Sequence, residues 1–253
     1  MNAVHDVLLK VCVAVLAAGL GFALAAPARA AEGDKTLPPL GWAFEVALGG
    51  SLATGNTDRQ ALDLNSKAQL RTERREDRYR LLGDFGRENG VVTAERIEAG
   101  LQSNYNLSQD KFYLIGFTQY RRDKFSGFLY EAEVGPGLGY RFVYTDRMTF
   151  ALEFSTGYRH GELRGVVNDD DLIFARGTAT VDYQLSDQAK LTNEALVTGD
   201  NQRVRMEDTL SVTSTLIRDI ALRASLNARY VSNPPVGIKK LDTLSKVALV
   251  YAF

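Results

Sequence analysis

Few residues of this 253-residue chain combine the types and spacing that chemistry needs. Hydrolysis by a serine requires its hydroxyl within hydrogen-bond reach of a histidine base. The chain has two histidines, His5 and His160, and His5 falls within a segment read below as an export signal. Period-two patterning sets His160 on the outward face of its strand and Ser155 on the inward face. The two meet only if the strand register breaks between them, so His160 reads as an interfacial histidine. The run Asn168-Asp169-Asp170-Asp171 could attract a divalent cation or serve an aspartate-based protease. It lacks the spaced, glycine-turned pattern of a dedicated calcium loop, and reads as a solvated outer loop. Gly135, Gly137 and Gly139 share one strand face with no helix following, which suits close packing of interior side chains and not a phosphate cradle. Cys12, the single cysteine, also lies in the signal, without the small residues that precede a lipoprotein cysteine. No catalytic residue, cofactor or metal is expected. The alternatives are an outer-membrane enzyme of lipid-deacylase or protease type, and a protein that binds through its outer loops.

The charged residues say more. Lys and Arg number 30, Asp and Glu 31, and both signs are interspersed along the chain. That composition offers no basic footprint for nucleic acid and is not that of a disordered chain. Within the candidate strands the charges collect on one parity, where Lys67, Arg71, Arg80, Glu98, Glu131, Glu133, Arg141, Glu153, Arg176, Asp182, Arg205, Glu207, Arg223 and Lys246 are the candidate lumen-lining residues. A charge turned to lipid costs roughly 2–4 kcal/mol at the bilayer midplane, so these side chains require an interior with water or partners. Mixed signs fit either a salt-bridge network that closes a lumen or a narrow hydrated pore. A selective pore more usually carries a ring of one sign.

The elements that position these residues are strands. Residues 1–30 read as a signal peptide: Lys10 precedes the apolar run Val11 to Ala26, and Ala28-Arg29-Ala30 supplies the cleavage pattern ahead of Ala31. Residues 31–40 read as a flexible periplasmic leader in which Pro38 and Pro39 block ladder pairing. From residue 41 to 253 apolar and polar residues alternate, as in Ile97, Ala99, Leu101, Tyr105 and Leu107 against Glu98, Gln102, Asn104 and Asn106. The segments number about twelve, near 42–53, 60–72, 78–88, 95–107, 112–122, 128–142, 147–160, 172–185, 189–198, 203–216, 220–231 and 241–253. Each has the length of a tilted membrane strand, and an even count suits an all-β, antiparallel, up-and-down transmembrane barrel.

Connections after even strands should be tight periplasmic turns, and those after odd strands longer outer loops, such as Gly161 to Asp171 and Ser232 to Lys240. Trp42, Tyr79, Tyr105, Phe112, Tyr140, Phe142, Phe150, Tyr183, Tyr251 and Phe253 fall at the expected periplasmic strand ends, with Phe85, Phe128, Tyr130, Tyr158, Phe174 and Tyr230 towards the outer ends. Two such aromatic girdles are what bilayer interfaces favour. Asn193 and Asp208 break the pattern by taking lipid-facing parity. A β-bulge that shifts the register is the favoured reading; a cross-strand hydrogen-bonded pair and a subunit contact are the others.

Two stretches carry a family resemblance. Gly49-Gly50-Ser51-Leu52-Ala53-Thr54-Gly55-Asn56-Thr57 resembles the glycine-rich first strand and turn of the salt-induced outer-membrane proteins, the YdiY-like proteins grouped under a domain of unknown function. Gly135-Pro136-Gly137-Leu138-Gly139-Tyr140-Arg141-Phe142 resembles that family's central strand. The resemblance runs from Trp42 to Phe253 and implies an outer-membrane barrel, with no activity or catalytic residues to carry over. The expected protein is thus exported through a cleaved signal and resides in the outer membrane of a Gram-negative cell, either as a structural barrel or as a narrow passive pore. Its expected partners are outer-membrane lipid, small solutes or ions, and the barrel-assembly machinery, which would read the last strand ending in Phe253.

Overall fold

The computed structural model describes residues 40–53, 59–108, 111–124, 128–163, 171–233 and 240–253. The signal segment, the leader up to Pro39, the Gly55-Asn56-Thr57 turn, Asn168-Asp169-Asp170 and Pro234-Pro235 lie outside the described residues. Twelve strands follow in order: β1 (Gly41–Ala53), β2 (Arg59–Arg71), β3 (Arg75–Glu88), β4 (Val91–Ser108), β5 (Phe112–Asp123), β6 (Phe128–Tyr144), β7 (Met148–Leu163), β8 (Leu172–Ser186), β9 (Ala189–Gly199), β10 (Val204–Ile217), β11 (Ile220–Val231) and β12 (Leu241–Ala252). Each pairs antiparallel with its sequence neighbours, and β12 returns to β1 to close the barrel. Closure is what a sheet in lipid requires, because an open edge strands backbone donors and acceptors where no water can reach them.

At the end that carries Gly41 and Phe253, the terminal end, the hairpins are tight. In the turn from β2 to β3 the Thr72 hydroxyl accepts from the Arg75 amide at 3.1 Å, and in the turn from β6 to β7 Thr145 does the same for Met148 at 3.0 Å. β3 begins at Arg75, three residues before its expected start, because Glu76 turns inward to pair with Arg78 instead of serving the turn. The opposite, loop end is less regular than expected. Asn89 and Gly90 close β3 onto β4 with φ of 47° and 82°, a two-residue turn where a longer loop was anticipated. Asn-Gly is a strong local signal for that hairpin, and it outweighs the general trend toward long outer loops.

Aromatic rings gather on the outside of the barrel at the terminal end. Trp42 stacks on Phe44 at 5.5 Å, Phe44 on Phe253 at 5.3 Å, and Phe142 on Phe150 at 5.5 Å. Phe174 and Phe128 do not belong to the outer girdle: both are buried, Phe174 with 1% of its surface exposed. Parity turns Phe174 in, since it stands two residues before the inward Arg176, which lies over its ring, whereas Phe128 turns in because the register shifts between it and the outward Tyr130. The expected bulge between β9 and β10 is absent too. Their register runs unbroken from Val204 opposite Gly199 to Ser214 opposite Ala189. The Asn193 amide instead donates to Asp208 at 2.9 Å on the outer face, so the cross-strand pair, and not a bulge, lowers the cost of these two polar groups.

Removing one member of that pair should therefore hurt more than removing both. Asn193→Ala is expected to cost about 1–3 kcal/mol by leaving Asp208 without its side-chain donor. The double replacement of Asn193 and Asp208 by leucine should be at least as stable as the native protein. Reversible urea unfolding in lipid vesicles measures both.

Candidate functional site: a charged lumen

Because alternate residues of every strand turn inward, side chains from distant strands meet inside the barrel, and their contacts fall into four clusters. The first is centred on β6. Glu131 accepts from Arg205 of β10 at 2.9 Å, while Glu133 accepts from Arg159 of β7 at 2.9 Å and from Arg176 of β8. Arg159 has none of its surface exposed and also donates to Asp200, in the connection from β9 to β10, at 3.0 Å. Beside it Glu98 of β4 accepts from Gln119 and Arg121 of β5 at 2.8 and 2.9 Å. One wall of this cluster is apolar: Ile115, Phe117 and Phe174 pack together, and the Arg176 guanidinium lies 4.4 Å from the Phe117 ring centre. An arginine over a ring face keeps part of its charge stabilised without a second carboxylate.

The second cluster lies toward the terminal end. Glu153 of β7 accepts from the Tyr113 hydroxyl at 2.8 Å and from Gln102 at 3.1 Å. Arg141 lies 4.2 Å above the Tyr113 ring and 3.7 Å from Glu76, and Arg71 reaches the Tyr144 hydroxyl at 3.5 Å. Tyr113 can lie flat on the wall only because residue 139 is glycine; a Cβ there would overlap its ring. In the third cluster Arg223 of β11 makes a two-pronged contact with Glu45 of β1 at 2.9 and 2.7 Å, and Lys67 stands 3.8 Å from the same carboxylate. Here Arg80 of β3 also meets Glu194 of β9 at 3.3 Å, and Lys190 meets Asp182 at 3.0 Å. The fourth cluster joins Lys246 of β12 to Asp63 and Asp84 at 2.9 and 2.7 Å, with Arg96 donating to Asp84 at 2.8 Å. Glu207 and Arg229 pair separately at 3.2 Å.

All fourteen candidate lumen residues thus take part in inward contacts, and the structure draws them into one interior. Sequence reading missed their partners Glu76, Arg121, Glu194 and Asp200. Glu194 stands four residues after Lys190 and so shares its face, a signal that was present; Asp200 lies beyond its strand end, where parity no longer applies. The histidine sits elsewhere. His160 faces outward at the loop end, its Nδ1 2.7 Å from Asp171 and its Nε2 3.1 Å from the Tyr130 hydroxyl. Hydrogen bonds from Tyr158 and His160 hold the Asp171 carboxyl below the usual carboxylate range. Ser155 is buried on the inward face, out of reach of His160. Among the described residues no three His, Cys, Asp or Glu side chains are grouped to hold a metal ion. A recess of about 450 Å³ is lined by Ser66, Ala68, Tyr79, Ala99 and Tyr120, with Arg80 and Gln119 also on its wall.

A closed twelve-stranded antiparallel barrel with a lipid-facing aromatic girdle and inward charges is the outer-membrane barrel fold. The translocator domain of the autotransporter NalP from Neisseria meningitidis shares it, with a TM-score of 0.50, 14% identity, and 96% of this chain and 98% of that one covered. An outer membrane channel from Pseudomonas putida F1 is similar with a TM-score of 0.52 and 13% identity, over 88% of this chain and 99% of the other. At such identities the likeness concerns the fold alone. The chain belongs to the DUF481 family, described as proteins of unknown function, whose model matches residues 46–253. Within that family it is 27% identical to the uncharacterized protein YdiY of Escherichia coli strain K12 over 149 residues, which is 58% of this chain and 57% of that protein.

Glu131 is one of the buried carboxylates on which this network depends. Glu131→Ala removes the carboxylate that Arg205 donates to and that Arg159 approaches at 3.8 Å, and is expected to cost about 3–5 kcal/mol. Glu131→Gln, which keeps the shape and one acceptor, should cost less than half of that. Unfolding midpoints of the refolded barrel in vesicles order the two.

Proposed function

We propose that the protein is an integral outer-membrane barrel that acts as a narrow passive pore for ions and small solutes, held closed at rest by ion pairs across its lumen. The observation that carries this reading is the contact between Arg80 and Glu194. Their strands, β3 and β9, lie six places apart in the twelve-strand ring, on opposite walls, and the side chains meet at 3.3 Å. An ion pair across the full width of a barrel blocks the axis at that level. The pair is partly exposed, with 42% and 37% of the two side chains accessible, so it is held weakly enough to open. Both signs line the walls, which supports low selectivity over a strong preference for anions or cations. In this reading the signal segment is removed during export, the terminal end faces the periplasm, and the strand ending in Phe253 is what assembly factors bind. Catalysis forms no part of it.

Planar-bilayer recording tests the proposal. The native protein should show rare, small openings. Arg80→Ala or Glu194→Gln should raise the open fraction roughly five- to tenfold, the effect of removing about 1 kcal/mol from the closed state. No conductance from native protein and both variants at high protein load would leave only a structural barrel.

A further inference from the structure

An inward side chain of a closed barrel is exposed only where the lumen at its level admits water. The side chains of Lys67 and Arg80 are 43% and 42% exposed, so water reaches both. They stand in one row with Glu45, which is opposite Lys67 in the β1–β2 register, while Lys67 is opposite Arg80 in the β2–β3 register. Two cations directly opposite on one face repel, because their Cβ atoms are only about 5 Å apart.

The nearby carboxylates do not settle that repulsion. Both oxygens of Glu45 are held by Arg223, at 2.9 and 2.7 Å. The Lys67 ammonium stands 3.8 Å from Glu45, beyond hydrogen-bond reach, and among the described residues it makes no hydrogen bond. Among the same residues Arg80 has one acceptor, Glu194, which comes from the opposite wall to 3.3 Å. A well-made bond between guanidinium and carboxylate is about 2.7–2.9 Å long, so this one is loose. Lys67, Arg80 and Arg223 thus share two carboxylates, one of them fully committed. Gly100 stands opposite Arg80 on β4, and a Cβ there would meet only the Thr118 carbonyl, at 3.8 Å. No side chain therefore crowds that flank of the row.

We infer that Lys67 and Arg80 form a binding subsite for the carboxylate of a small organic acid, and that Glu194 fills it at rest as an internal stand-in. The incoming carboxylate takes the place of Glu194 on Arg80 and also accepts from Lys67, with which Glu194 forms no ion pair. Release of Glu194 frees the axis, so the solute itself opens the closure. The walls as a whole are mixed in sign, but cations prevail at this level, which gives a modest preference for anions. A cationic solute finds no such place, because Glu45 already accepts two bonds from Arg223. This inference rests on the pore reading for its transport role, whereas the subsite itself is measurable without any current.

Reductive methylation of the protein in lipid vesicles, mapped by mass spectrometry, reads the subsite. Potassium acetate in place of potassium chloride at equal concentration should slow labelling of Lys67 at least about twofold. Lys190, paired with Asp182 at 3.0 Å, should be labelled alike in both salts. Glu194→Gln should strengthen the protection by acetate about three- to tenfold, because nothing then competes for Arg80. Equal labelling of Lys67 in the two salts overturns the subsite, and unaltered protection in Glu194→Gln overturns the role given to Glu194. In planar bilayers acetate should raise the native open fraction about fivefold, a response that Lys67→Gln should lose. Openings indifferent to acetate, despite protection of Lys67, contradict opening by the solute. Protection with no conductance at all would leave the subsite standing and overturn the pore reading alone.

Discussion

A spanning strand can carry charge on alternate residues only if every one of them turns inward and finds an opposite charge, a ring or water there, and this constraint organises the whole protein. It decides which face of each strand is outside, because the face with Lys67, Arg80, Glu194 and Lys246 cannot be turned to lipid. It decides register as well. A slip of one residue would carry every one of those charges into the bilayer, so the inward network fixes the pairing as firmly as the backbone ladder does. The lumen is consequently neither a polar channel with one dominant sign nor an apolar core. It is filled by guanidinium and carboxylate groups in near balance, with arginines favoured because their planar donors serve two partners at once, as Arg159 does for Glu133 and Asp200.

Function follows from how that balance is distributed. Where partners lie a few strands apart, as with Glu131 and Arg205 of β6 and β10, the pair is buried and braces the barrel. Where they lie on opposite walls, as with Arg80 and Glu194, the pair crosses the axis and is more exposed. The same residue types thus support a rigid framework in one cluster and, in the proposed pore, a weak closure in another.

Much of the fold was legible in the sequence because period-two alternation survives any detail of packing. All twelve strands lie within a few residues of where the pattern sets them, and the inward charges could be picked out by parity. The pattern misleads where nearness to a strand end competes with parity, or where parity ends. Phe174 lies near a strand end as a girdle aromatic would, although Arg176 two residues later sets it inward. The lipid-facing parity of Asn193 and Asp208 points to a bulge, yet two short polar side chains one step apart diagonally can satisfy each other without one. The partners across the lumen were illegible for a different reason. Glu45 and Arg223 are 178 residues apart, and which inward residues meet depends on strand tilt and stagger that no local pattern encodes.

The central claim is that pairing across the lumen, and not side-chain bulk, keeps the barrel closed. Exchanging the two charges tests it most directly, by comparing Arg80→Glu, Glu194→Arg and the double exchange for single-channel conductance in planar bilayers. Each single exchange sets two like charges against one another and should open the barrel, while the double exchange, which restores an opposite pair of the same two side chains, should return it to the rare openings of the native protein. A double exchange as open as either single one would contradict the account.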